Sequence, residues 1–153
     1  MQTKVIVRNS AAVIAALVVG SMVNMGLILF GSSVIPAPTG VDVTSSESIA
    51  ASIDLFEPQH FLFPFLAHAL GTLAGALVAH QVAATRKFVF ALAIGGFFLL
   101  GGIANATMIP APLWFLLLDL VVAYLPMAWL ATLIARKIAR PQVEVPKSPH
   151  KGV

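Results

Sequence analysis

The 153-residue chain contains no cysteine. That excludes a disulfide framework, a thiolate metal site and a cysteine nucleophile, and it carries no information about redox compartment. Charge is scarce as well: Asp, Glu, Lys and Arg make up 10% of the residues, where an ordinary soluble domain carries roughly 25%. So few charges cannot cover a water-exposed surface, so the solvent of this chain is expected to be largely lipid. Recognised catalytic and cofactor signatures are missing too. There is no P-loop, GxGxxG, HExxH or GxSxG pattern, and Gly95-Gly96 and Gly101-Gly102 lie inside an apolar run, not after a strand. No CxxCH is present for haem attachment. His68 and His80 fall on one segment, so they offer no facing pair for bis-histidine ligation.

What the chain has in quantity is hydrophobic residues, 59% of the total, with a mean hydropathy of +0.96. Crossing the hydrocarbon core takes about 20 apolar residues in a helix. Four runs qualify, at about 11–31, 61–84, 88–109 and 113–135. Only Arg86 and Lys87 separate the second and third, and Pro110-Ala111-Pro112 the third and fourth. Connections this short predict antiparallel neighbours. The expected fold is all-α, an up-down four-helix membrane bundle forming one domain over 1–140, followed by a disordered, Pro-rich cytoplasmic tail over 141–153 that leaves His150 in solvent. The first run follows the basic residues Lys4 and Arg8 as a signal peptide would. Its apolar stretch exceeds an ordinary signal core, so it is read as a retained span.

The charges sort by side. In a four-span arrangement all nine Lys and Arg residues fall on one face, at Lys4, Arg8, Arg86, Lys87 and from Arg136 onward. The segment from Ser32 to His60 carries Asp42, Glu47, Asp54 and Glu57 and no basic residue. The positive-inside rule then places both termini in the cytoplasm and the protein in the inner (plasma) membrane. The basic balance therefore reads as topology and contact with anionic lipid, not as a nucleic-acid surface. Within the acidic segment, Thr44-Ser-Ser-Glu47 fits a capping box. Ile49, Ile53 and Phe56 follow at helical spacing, which predicts a short amphipathic helix over about 45–56. Ile-Pro-Ala-Pro occurs twice, at 35–38 and 109–112, as a Pro-rich exit from an outgoing helix.

Small residues recur every four positions: Ala12, Ala16, Gly20 and Asn24 in the first span, Ala67, Gly71, Gly75 and Ala79 in the second, Ala91 and Gly95 in the third. Such stripes let membrane helices approach closely. Gly20, Gly71, Gly75 and Gly95 are the expected contact residues, with a partner helix in the same chain or in a second copy. Pro126 is expected to kink the fourth span by freeing the carbonyl of Val122.

Asp119 is the one acid inside a span, and intramembrane charge is costly unless it faces a protein interior or water. At about 1.5 Å per residue it lies about 9 Å below the outer boundary, and His68 about 10 Å. Asn24 and Asn105 fall in the same outer layer. Asp119, His68, Asn24 and Asn105 are thus expected to meet inside the bundle, with Asp119 and His68 at the centre. This cluster is read either as structural glue or as a working site, a protonation switch or a polar pocket. One His, one Asp and two amides make a poor transition-metal set, so no metal and no cofactor is assigned. His60 is placed near the surface above His68, and His80 at the cytoplasmic interface.

In size, topology and the general character of its His68–Ala79 helix, the chain resembles small four-span bacterial inner-membrane proteins without assigned activity. That resemblance implies membrane residence and transfers no reaction and no site residues. The leading functional reading is a non-enzymatic accessory or interaction subunit, a homo-oligomer or part of a larger membrane complex. The alternatives are a small oligomeric transporter or channel using the Asp119–His68 layer for a proton or polar solute, and a membrane enzyme with an outward-facing site at that layer.

Overall fold

Long runs of Ala, Val, Leu and Ile, with Pro confined to loops and the first turns of helices, leave helix as the one structure that satisfies the backbone locally. The computed structural model describes residues 1–139; the expected disordered tail at 141–153 lies outside them. Six α-helices occur among the described residues: α1 (Gln2–Val34), α2 (Ser46–Ala51), α3 (Leu62–Val82), α4 (Lys87–Met108), α5 (Leu113–Val122) and α6 (Leu125–Ile138). Four helical stretches, Gln2–Val34, Pro58–Val82, Lys87–Met108 and Leu113–Ile138, are long and apolar enough to cross a membrane.

The first helix extends beyond the expected 11–31 at both ends. Nothing between Gln2 and Ser10 breaks a helix, and the chain stays helical until Ile35, which turns extended (φ −124°, ψ 89°) ahead of Pro36, as residues before proline do. Ala12, Ala16, Gly20 and Gly31 are its buried positions.

The central helix is α3, which meets α1, α4 and α6. Its contact with α1 is close enough to require glycine. A Cβ on Gly71 would lie 2.9 Å from the Gly20 carbonyl oxygen and 3.0 Å from Asn24 Cβ, and one on Gly75 would lie 2.8 Å from the Ala16 carbonyl oxygen. These pairs run in opposite sequence order along the two helices, and the register continues to their ends. Arg8 Nε donates to the Val82 carbonyl at 2.7 Å, which satisfies one of the carbonyls that α3 leaves open at its C-terminus. Asn9 accepts from the Ala84 N–H at 2.8 Å and donates to Thr85 Oγ1 at 3.0 Å. On the other side Ala76, Ala91, Ala128 and Ala131 form a fully buried alanine core between α3, α4 and α6. A Cβ on Gly95 would press on Ala128 and one on Gly102 on the Tyr124 ring. All four expected glycine contacts are thus used within the chain.

The fourth stretch is two helices, not one kinked span. α5 ends at Val122, Tyr124 takes φ −116° and ψ −83°, and α6 restarts with Pro126 in its first turn. Pro126 therefore sits where its missing N–H costs little, and the break falls at Ala123–Tyr124.

The acidic segment also departs from expectation. Ser45, not Thr44, caps α2, accepting from the Ser48 N–H at 3.3 Å. Thr44 turns back to Asp42 through its N–H at 2.9 Å and its hydroxyl at 2.7 Å. These bonds hold the Asp42 carboxyl below the usual carboxylate range. The expected helix over 45–56 stops at Ala51 and gives way to 3-10 turns at Ile53–Leu55 and Pro58–Phe61. The reciprocal cap forms instead between Glu57 and His60.

Replacing Gly71 with Val should destabilise the protein by about 1–3 kcal/mol, because the new side chain must push α1 away. Gly26→Ala, where no atom lies within 4 Å of the added carbon, should leave stability unchanged. Thermal unfolding of both variants in detergent micelles checks the pair.

Candidate functional site

Asp119 lies on α5, one turn before the helix breaks, and is 4% exposed. A carboxylate so placed needs hydrogen-bond donors, since an unpaired buried charge is far more costly than a neutral one. Two are supplied. The Nδ1–H of His68, on α3, donates to it at 2.9 Å from each carboxyl oxygen. The Tyr124 hydroxyl donates to Oδ2 at 3.0 Å. Facing a carboxylate fixes the imidazole tautomer, so Nδ1 carries the proton and Nε2 is left to other partners. The Tyr124 ring lies 5.7 Å from the His68 ring, centroid to centroid, at 30°. The helix break allows this arrangement. In a continuous helix Tyr124, five residues after Asp119, would point well round the axis from it; at the break it folds back.

A cavity of about 320 Å³ adjoins the pair, between α1, α3 and α4. Asn24, His68, Thr72, Asn105 and Tyr124 line it, with Gly71 and Gly102 keeping its inner walls thin. The structure thus brings His68 and Asp119 into direct contact. Asn24 and Asn105 reach the cavity, and among the described residues neither amide hydrogen-bonds to the His68–Asp119 pair. Asn24 is half-buried beside Gly71, whereas Asn105 is exposed at the rim. The equal-depth layer expected of the four residues becomes a paired core with two amides across an open space.

Two members were not foreseen. The spacing of Tyr124 from Asp119 gives no reason to place its hydroxyl there without the break. Thr72 is 2% exposed, lines the cavity, and its hydroxyl finds no partner among the described residues. Its position one turn beyond His68 was the available signal. The other two histidines among the described residues behave differently. His60 is held by local capping, accepting from the Glu57 N–H at 3.0 Å. His80, expected at an interface, is buried, with Nδ1 unpartnered among the described residues. No three His, Asp or Glu side chains converge as metal ligands among the described residues.

No protein-family model matches the chain, and no curated protein or solved structure matches it. The site therefore rests on its own geometry.

Tyr124→Phe keeps the ring and removes one donor to a buried carboxylate, which should cost about 1.5–3 kcal/mol. Thr72→Val, nearly isosteric and removing a hydroxyl that has no protein partner, should be neutral or stabilising in the absence of ligand. Melting temperatures of the two variants, compared in one detergent, test both.

Proposed function

We propose that the chain is an antiparallel four-span protein of the inner membrane, with both termini cytoplasmic, and that the His68–Asp119–Tyr124 array is the proton-holding centre of a small transporter-like site. The topology draws support from where the charges lie. Arg8 reaches the C-terminal carbonyl of α3 and Arg136 lies 5.8 Å over the ring of Phe88, the neighbour of Lys87, so cations from three separate segments gather at one end. Asp42, Glu47, Asp54 and Glu57 all belong to the segment joining the opposite ends of α1 and α3.

The observation that carries the functional reading is a buried carboxylate shared by an imidazole and a phenol, both of which line a mainly apolar cavity with two carboxamides in its wall. As carboxylate with imidazolium, or as carboxylic acid with neutral imidazole, the pair carries no net charge. Gaining or losing one proton changes that, and in a low-dielectric setting the change is felt strongly. The His68 side of the pair borders open space, an access that a purely structural pair does not need. Ionisable groups of this kind inside membrane helices are the usual parts of proton relays. A second reading, an accessory subunit, draws on Gly26 and Gly96, whose surroundings are open and would admit a partner helix.

Because the chain lacks cysteine, single introduced thiols report sidedness. A cysteine at Val43 should react with a membrane-impermeant maleimide from outside intact cells, and one at Thr85 only after permeabilisation. In proteoliposomes carrying a pH-sensitive dye, the wild type should dissipate an imposed pH gradient at least tenfold faster than Asp119→Asn, with both variants equally folded. Equal rates, or a loss of stability alone, would return the pair to a structural role.

A further inference from the structure

The cavity is open between α1 and α4, a side that borders lipid in the proposed topology. Its rim is formed by Ser21 and Met25 of α1 and by Gly101 and Asn105 of α4, all four exposed. Deeper in, Gly71, Thr72, Gly102 and Tyr124 are buried, and His68 is 19% exposed. The rim residues belong to helices long and apolar enough to span a membrane, and no residue of the 35–60 segment lines the space. Nearer that segment the helices carry aromatic contacts: Phe63 occupies the room opposite Gly31 and packs edge-on against Phe30 at 5.7 Å, while Phe61 lies tilted against Phe115 at 4.8 Å. Toward the basic end, Phe98 sits where a Gly20 side chain would otherwise be, 2.7 Å from that position. Beside the rim the exposed side chains are Met22, Phe97 and Leu100, suited to acyl chains.

We propose that the cavity is entered sideways from the bilayer, between α1 and α4, and that it holds the uncharged, hydrogen-bonding head of a membrane-dissolved amphiphile whose tail remains in lipid. The inference rests on the reading that the four helices span the membrane; it does not require that the site move protons.

The chemistry of the walls defines the head. No Lys, Arg or Glu lines the cavity, and the nearby carboxylate already has two donors. A charged head would meet no compensating charge and would be costly to bury. Among the described residues the unfilled hydrogen-bonding capacity is neutral: two carboxamides, which offer donors and acceptors, the Ser21 and Thr72 hydroxyls and His68 Nε2. A head with carbonyl or hydroxyl oxygens on opposite edges would meet Asn24 on one wall and Asn105 on the other. The volume of about 320 Å³ lies at the lower end of small-molecule sites. It accommodates a single substituted ring and excludes a large headgroup.

The rim supplies a clean test. A Cβ built on Gly101 meets nothing within 4 Å, and the same holds for Gly96, which lies on α4 away from the cavity. Both positions should accept leucine without refolding costs, and only Gly101→Leu closes the mouth. The full chain in lipid nanodiscs is titrated with a decyl-substituted benzoquinone while the melting temperature is followed. Binding to the native state raises it saturably. The wild type and Gly96→Leu should show the same saturable rise, and Gly101→Leu an apparent affinity at least tenfold weaker. Decane, the tail without the head, should give no saturable rise. No saturable rise with the quinone, or equal affinities for Gly101→Leu and Gly96→Leu, overturns the proposal. A gradient-dissipation result that failed for Asp119 while quinone binding persisted would remove the proton reading and leave this one standing. Failure of the introduced thiols to show a membrane-spanning topology would remove both.

Discussion

Gly20, Gly71 and Gly75 let α1 and α3 come so close that ordinary side chains would strike the opposite backbone. The other features of the site follow from that approach. It brings Asn24 against Gly71 and so to the mouth of the cavity. It lets Phe98 of α4 pass over Gly20 and wall off the basic end of the space. It also aligns Arg8 with the last carbonyls of α3, where a cation is favoured by the helix dipole. In an apolar solvent there is no hydrophobic drive holding two such helices together. Close van der Waals contact and the few hydrogen bonds at the helix ends must do so, and small residues are what make the contact close.

The second constraint is the break in the fourth stretch. A straight helix from Leu113 to Ile138 would carry Tyr124 away from Asp119, leaving the carboxylate with one donor in place of two. The interruption at Ala123–Tyr124 returns the phenol to the carboxylate and presents its ring to Gly102. Local irregularity of this kind is tolerated at membrane depth where neighbouring groups re-satisfy the backbone or where a cavity lies alongside. Here both conditions hold: Ala128 N–H bonds the Tyr124 carbonyl at 2.8 Å, and Tyr124 lines the open space. Rigid alanine faces around Ala76, Ala91, Ala128 and Ala131 hold the rest of α6 in place, so the break is confined to one turn.

Together these two features produce an asymmetric cavity. Its back wall is thin, glycine-lined and buried, and carries the one ionisable pair. Its open side lies between two helices that touch each other little compared with their contacts to α3. Aromatic pairs lie nearer the acidic segment, and in the proposed membrane topology the open side between α1 and α4 would border lipid. That geometry favours a ligand that is already dissolved in lipid.

Much of this was legible in the residues, and the limits of legibility have physical causes. Apolar run length and the segregation of Lys and Arg from Asp and Glu specify four candidate spans and a proposed orientation, because a helix of given composition has few ways to satisfy its backbone in lipid. Counting residues from the run ends also placed His68 and Asp119 at one depth, since helical rise is constant. Face-to-face geometry was not determined in this way. Whether Gly71 and Gly75 met α1 or a second copy depends on which surfaces are complementary in three dimensions. Pro126 signalled a disturbance but not its location, because proline at the first turn of a new helix and proline in a kink read alike. Thr44 and Ser45 compete for the same cap, and the loop conformation, fixed by Asp42, decided for Ser45. Sequence alone determined the four apolar runs and the spacing of the polar residues along them, which are local or one-dimensional properties, while the ends of α1 and α2 and the split of the fourth run were settled by the fold. Only the tertiary structure decided that Asp119 takes a second donor from Tyr124, that Asn24 and Asn105 line a cavity instead of joining the pair, and that this cavity lies between α1, α3 and α4, because these depend on how closely the helices approach and at what rotation.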